Sequence, residues 1–280
     1  MRANSLLSAL LCVILSLAAC GDRDQALYEE AEKLWLNGRQ SESVSKLRVV
    51  VEEYPSSSFA GRALFKLGEI HYLDLNEPDK AIEFFARVGE KEKNGELDLK
   101  AKNYIAEIYE QSLKKYDLAV MQYQRILNEH KGKVSEEEYR FKIGSAYFRK
   151  GDFQQAIVEY QSLLDKYPGG AYTLDSQYQI ANSKFILNDA KGALTLFQKI
   201  MEASPKSKYE YDIRLGIAIC YEEMEQQARA LEEYNDLKQR YPDKPLIDRK
   251  IESIKKRLAK KSQPSEIKKV RTVPNPHARH

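Results

Sequence analysis

Cysteine is scarce in this 280-residue chain: three residues, Cys12, Cys20 and Cys220. That is too few for a small scaffold held by disulfides. Cys220, set among Ile217, Ile219 and Tyr221, is expected to be a small buried hydrophobe. The four histidines, at 71, 130, 277 and 280, have no Cys/His spacing of the kind that ligates metal, so no metal and no cofactor are expected. No catalytic motif is present. The carboxylates are expected mostly on solvent faces, and no pair of them stands out for acid–base work. Gly169-Gly170 follows Pro168 and reads as a turn rather than a phosphate loop. An enzyme is therefore not expected. No stretch alternates like a strand, and after Cys20 no apolar run reaches membrane length.

What is present begins with an address. Met1 and Arg2 precede an apolar run from Leu6 to Ala19, which Asp22, Arg23 and Asp24 end abruptly. The run is too short to span a bilayer comfortably and reads as an export signal. Its end, Leu17-Ala18-Ala19-Cys20-Gly21, resembles the lipobox of bacterial lipoproteins. That resemblance implies acylation of Cys20, which becomes the first residue of the mature chain and anchors it to a membrane. Gly21, where an Asp would favour inner-membrane retention, implies the outer membrane and a periplasm-facing body. Residues 1–19 are thus expected to be the signal and 20–24 the lipidated start.

The body repeats. Small residues recur at Ala31, Gly68, Ala106, Gly144, Ala181 and Ala218, and again at Ser43, Ala81, Ala119, Ala156, Ala193 and Ala230. Each series steps by 37 or 38 residues. A fixed period in that range predicts stacked helical hairpins, with small residues where two helices approach and larger apolar ones filling the gap. Ser135 with Glu138 predicts a capping box opening the fourth copy. Leu246, Ile247, Ile251, Ile254 and Leu258 form one apolar stripe, which predicts a helix covering the open end of the array. From Lys261 the chain turns polar and proline-interrupted, and a disordered tail is expected. Residues 255–280 carry nine Lys or Arg against one Glu, a basic end on a body (21–254) of about −6. The tail suits an anionic surface or simply solubility. The acidic body and export signal disfavour nucleic acid.

Repeat four has Gly144, Tyr147, Ala156, Tyr160 and Pro168, and repeat six Ala218, Tyr221, Ala230, Tyr234 and Pro242. These residues resemble the tetratricopeptide repeat (TPR) pattern of small residue, aromatic, alanine, aromatic and closing proline. Repeats two and three lack the proline, and His71 takes an aromatic's place, where a structural role is expected. The resemblance implies an all-α, right-handed superhelical TPR solenoid of about six helix pairs (25–243), a capping helix (244–260) and a basic tail (261–280). It also implies that residues three before and four after the first small position line a groove. In four repeats both are aromatic: Tyr28 and Trp35, Phe65 and Tyr72, Phe141 and Phe148, Tyr178 and Phe185. Repeat three has Asn103 and Glu110 there, and repeat six Leu215 and Glu222.

Tyr54-Pro55-Ser56-Ser57-Ser58-Phe59-Ala60, followed by Leu67-Gly68-Glu69, further resembles the Tyr-Pro turns of the BamD-like and CpoB group of envelope proteins. The implied function is a scaffold for protein partners in envelope assembly, foremost of outer-membrane proteins. Against the BamD-like side of that group, the chain lacks a Phe-Gly-Pro-Tyr after its first Tyr-Pro. Pilotin-like secretin assembly, Tol–Pal or cell-division coordination, and peptidoglycan binding are the alternatives.

Overall fold

The structure is a computed structural model that describes residues 23–262. The expected signal (1–19), Cys20 and nearly all of the basic tail lie outside the described residues. The repeat body is all helix, as the period demands: thirteen α-helices and no strand among the described residues. They are α1 (23–36), α2 (Gln40–Glu53), α3 (Ala60–Glu69), α4 (Pro78–Lys91), α5 (Glu96–Glu107), α6 (Tyr116–Glu129) and α7 (Glu136–Lys150). Then come α8 (Phe153–Lys166), α9 (Thr173–Ile186), α10 (Ala190–Ala203), α11 (Glu210–Glu223), α12 (Gln227–Leu237) and α13 (Lys244–Ser262). Odd-numbered helices up to α11 are the first (A) members of six pairs, and even-numbered ones the second (B). None is long and apolar enough to cross a membrane.

The small residues are where the period puts them. Ala31, Ala106, Ala181 and Ala218 on A helices are fully buried, as are Ala81, Ala119, Ala156, Ala193 and Ala230 on B helices. At two of these sites a side chain fits only if its neighbour shifts. A Cβ on Gly68 would lie 2.6 Å from the Phe85 ring, and one on Gly144 would lie 2.7 Å from the Tyr160 ring. Ser43, the polar member of the B series, is buried with its hydroxyl donating to the Ala31 carbonyl at 2.8 Å, so its polarity is satisfied.

Helix ends follow local chemistry. Ser135, Asp152 and Asp189 cap α7, α8 and α10, each accepting from a backbone N–H three residues on. Within each pair the A helix ends at one residue of positive φ. This is Gly38, Gly151, Asn188 or Glu225, always seven residues past the small position. In repeats two and three it is Asn76 and Lys114, eight residues past. The extra residue is taken up by π-helical turns, Ile70–Asp74 continuing α3 and Ile108–Ser112 continuing α5. Thus Gly68-to-Ala81 and Ala106-to-Ala119 span thirteen residues instead of twelve while both ends stay buried.

The helices fall into two compact units, one ending at Ser176 and the other beginning at Gln177. The unbroken sequence period does not mark this division. In the first unit each helix from α2 to α8 packs on its chain neighbours. On α1, Asp24 is buried and accepts from the Ser57 hydroxyl. In the second unit α11 packs on α10 and α12, and α13 on α12. Ile247, Ile251 and Ile254 of α13 are buried, while Leu246 and Leu258 are half-buried. Cys220 is fully buried, and burial pushes its thiol up to about 11.

Candidate protein-binding face

All eight aromatics expected to line the groove are half-buried. In the first unit Trp35 donates its indole N–H to Asp74 at 2.7 Å, and the Lys66 ammonium sits 3.8 Å over its ring. Tyr28 packs against Phe59 with ring centres 5.4 Å apart. Phe65 and Tyr72 both meet Tyr104 edge-on, at 5.7 and 6.3 Å. Phe141 stacks on Tyr172 at 4.8 Å, and Phe148 meets Phe153 edge-on at 5.2 Å. Leu36 and Leu73, the neighbours of Trp35 and Tyr72, are 74% and 60% exposed. In the second unit Tyr178 stacks on Tyr209 at 4.1 Å. Tyr178 and Phe185 line a cavity of about 180 Å³ with Asn182, Leu215, Gly216 and Ile219. Partly exposed aromatic rings give large contact area at small entropic cost, which suits them to bind a protein segment.

Tyr104 was not singled out by the sequence pattern, because it stands two residues before Ala106 rather than three. It stacks on Phe85 at 4.8 Å and reaches Glu69 with its hydroxyl at 3.4 Å, which makes it the centre of this part of the face.

The two repeats that break the aromatic pattern are explained by buried carboxylates. Glu110 and Glu222 stand four residues past the small position, and each accepts a 2.6 Å hydrogen bond from the tyrosine on its own B helix, Tyr123 and Tyr234. A cation from further along the chain completes each: Arg149 lies 3.3 Å from Glu110, and Lys250 and Arg257 lie 2.8 and 3.1 Å from Glu222. Burial alone would raise the Glu222 pKa, but its hydrogen bonds from Lys250 and Tyr234 outweigh that and hold it below its ordinary value. Asn103 has a partner too, accepting from the Tyr139 hydroxyl at 2.7 Å.

His71 is buried as expected of a structural residue, stacked on Phe84 and 2.6 Å from Glu77. His130 has more company than its sequence neighbours suggest. Asp98, Lys102 and His130 are all buried, Lys102 lies 2.5 Å from Asp98 and also bonds Glu129, and His130 lies 3.3 Å from Asp98. Asp98, Glu129 and His130 each bring a donor atom within 4.8 Å of the others. That set holds a cation already, the Lys102 ammonium, and would accept a metal ion only with Lys102 moved aside. Buried acids were not expected from sequence. Burial, then the Lys102 charge, lowers the His130 pKa, so the imidazole is neutral at pH 7.

The comparisons agree with this architecture. The tetratricopeptide repeat model matches residues 62–94, 138–170 and 212–244, each an A helix with its B helix. A tetratricopeptide repeat protein from Parabacteroides merdae is similar in structure, with TM-score 0.54 and 15% identity over 86% of this chain and 88% of that one. PilW, described as a widely conserved type IV pilus biogenesis factor, is similar with TM-score 0.51 and 14% identity over 82% and 97% of the two chains. No curated protein sequence matches significantly. No catalytic family is indicated, and TPR proteins are generally non-enzymatic scaffolds that bind other proteins. The chain carries tetratricopeptide repeats on an all-α fold of the TPR type.

Proposed function

We propose that this chain is a lipid-anchored, periplasm-facing scaffold that binds segments of other proteins through the aromatic face of the A helices of its first unit. The partly exposed rings of Trp35 and Tyr72, with exposed Leu36 and Leu73 beside them, carry the binding part of the reading. The anchor rests on Leu17-Ala18-Ala19-Cys20, and assignment to the outer membrane on Gly21. Stable anchoring needs more than one acyl chain, which a lipoprotein supplies. Within the envelope, assembly of outer-membrane proteins in the manner of the BamD-like group is the reading we favour, supported by the Tyr54-Pro55 turn and the repeat body.

The test is a Trp35→Ala/Tyr72→Ala double variant. Truncating a hot-spot aromatic costs about 2 kcal/mol or more, roughly thirtyfold in affinity. Partners crosslinked to the parent in cells should be lost, with helix content and melting retained. Unchanged capture by a folded double variant would move the site elsewhere. Cys20→Ala should release the protein from membranes, and unaltered fractionation would remove the anchor.

A further inference from the structure

One position on the A helices of the first unit carries a charge that the aromatic pattern does not explain. The residue just after the small packing position is Glu32, Glu69 and Glu107 in repeats one to three, and Ser145 in repeat four. Glu32 and Glu69 are half-buried and Glu107 is exposed, so all three reach solvent. They are tied to the aromatic face. The Tyr28 hydroxyl donates to Glu32 at 3.0 Å, and the Tyr104 hydroxyl to Glu69 at 3.4 Å. Burial raises the Tyr104 pKa, and the nearby Glu69 and Glu107 charges raise it further. The three carboxylates therefore run across α1, α3 and α5 alongside Trp35, Tyr72 and Tyr104.

The chain supplies its own example of what this arrangement holds. Lys66 places its ammonium 3.8 Å over the Trp35 ring and 3.1 Å from Glu69, pairing a ring face with a carboxylate. Arg62 lies over Phe59, and Arg149 is engaged with Glu110. Among the described residues Glu32 and Glu107 have no cation partner.

From this geometry we infer that the face of α1, α3 and α5 binds an extended basic segment of a partner protein, with lysine or arginine side chains seated between the rings and Glu32, Glu69 and Glu107. Packed helices lie about 8–10 Å apart and an extended chain rises about 3.3 Å per residue, so the cations fall at about every third position. This rests on the reading of the A-helix face as the binding face and adds the chemistry of what it binds.

The experiment uses the full-length protein and fluorescent synthetic peptides, one with lysine at every third position among Gly and Ser, one with glutamate in place of lysine. The lysine peptide should bind, weaken with added salt, and outcompete the glutamate peptide. Glu32→Gln/Glu107→Gln should weaken it about tenfold, because two exposed charge contacts are lost and each is individually weak. Lys66→Ala should tighten it severalfold by vacating the Trp35 ring and Glu69, and Glu83→Gln on α4 should change nothing. Equal binding of both peptides, or an unchanged affinity in the Glu32→Gln/Glu107→Gln variant, would overturn the inference. If the lysine peptide fails while Trp35→Ala/Tyr72→Ala still abolishes capture of partners, the binding face stands and the basic preference falls.

Discussion

Tyr234 donates a 2.6 Å hydrogen bond to the buried carboxylate of Glu222, twelve residues earlier in the chain. The bond joins α12 to α11, and Lys250 and Arg257 bring α13 onto the same carboxylate. In the second unit the helix expected to cover the last pair is thus held by charge as well as by Ile247, Ile251 and Ile254.

Removing the phenol should therefore be felt. A hydrogen bond to a charged group contributes about 1.5–3 kcal/mol, so Tyr234→Phe should lower unfolding free energy by about that much. Glu222→Gln on top of it should cost less than the sum of the two single changes, because the partners act as one unit. Strict additivity in a denaturant-melt cycle would show that the contact is incidental.

Two glycines of α3 should respond to alanine with opposite signs. At Gly68 the added methyl meets the Phe85 ring at 2.6–2.8 Å, and overpacking of this kind costs about 1–3 kcal/mol. At Gly61 its nearest neighbour is the Lys91 Cβ at 3.6 Å, an ordinary contact. There the better helix propensity of alanine should add up to about 1 kcal/mol. Melting temperatures of Gly68→Ala and Gly61→Ala that move the same way would refute the packing argument.

The pH response of the first unit should carry a signature of His130. Asp98, Lys102 and Glu129 face its ring, and burial, then the Lys102 charge, holds its pKa below the ordinary 6.5. Below pH 6.5 the unfolded chain takes up a proton that the folded imidazole refuses, so stability should fall as pH drops from about 6.5 toward the lowered value. Glu129 is a separate case. Burial would raise its pKa, but bonds from Lys102 and Arg125 prevail and hold it at about 2, so its contribution is lost only below pH 4.5. Urea melts at pH 7.5 and 5.5 should show a smaller drop for His130→Gln than for the parent. Equal drops would place the titration elsewhere.

Much of the fold is legible in the chain because its packing is local and repeated. Ala31, Gly68 and their successors name the helix contacts, and the polar exception Ser43 still keeps the frame. Legibility ends where partners come from different helices. Glu110 reads as a solvent residue until Arg149, on the next A helix, closes the pair. Asp98 and Lys102 stand four apart on α5, but His130, which completes the cluster, reads as unrelated because α6 lies between it and them in sequence. On the face, the pattern of three before and four after found Phe65 and Tyr72, yet it passed over Tyr104, where both rings converge. Nor does the period mark where one compact unit gives way to the next, since α9 keeps its small residue, Ala181, in phase.

The π-helical turns at Ile70–Asp74 and Ile108–Ser112 act as slip joints. Each widens the helix just past its packing residue, so an added residue is spent in the last turn before the bend. Phe85 still meets Gly68, and Ala119 is still buried. Length can therefore vary at this one place without re-registering the core. The outward side chains there, Tyr72 and Leu73 in one repeat and Gln111 in the next, can be re-aimed toward a new partner while the scaffold behind them stays fixed.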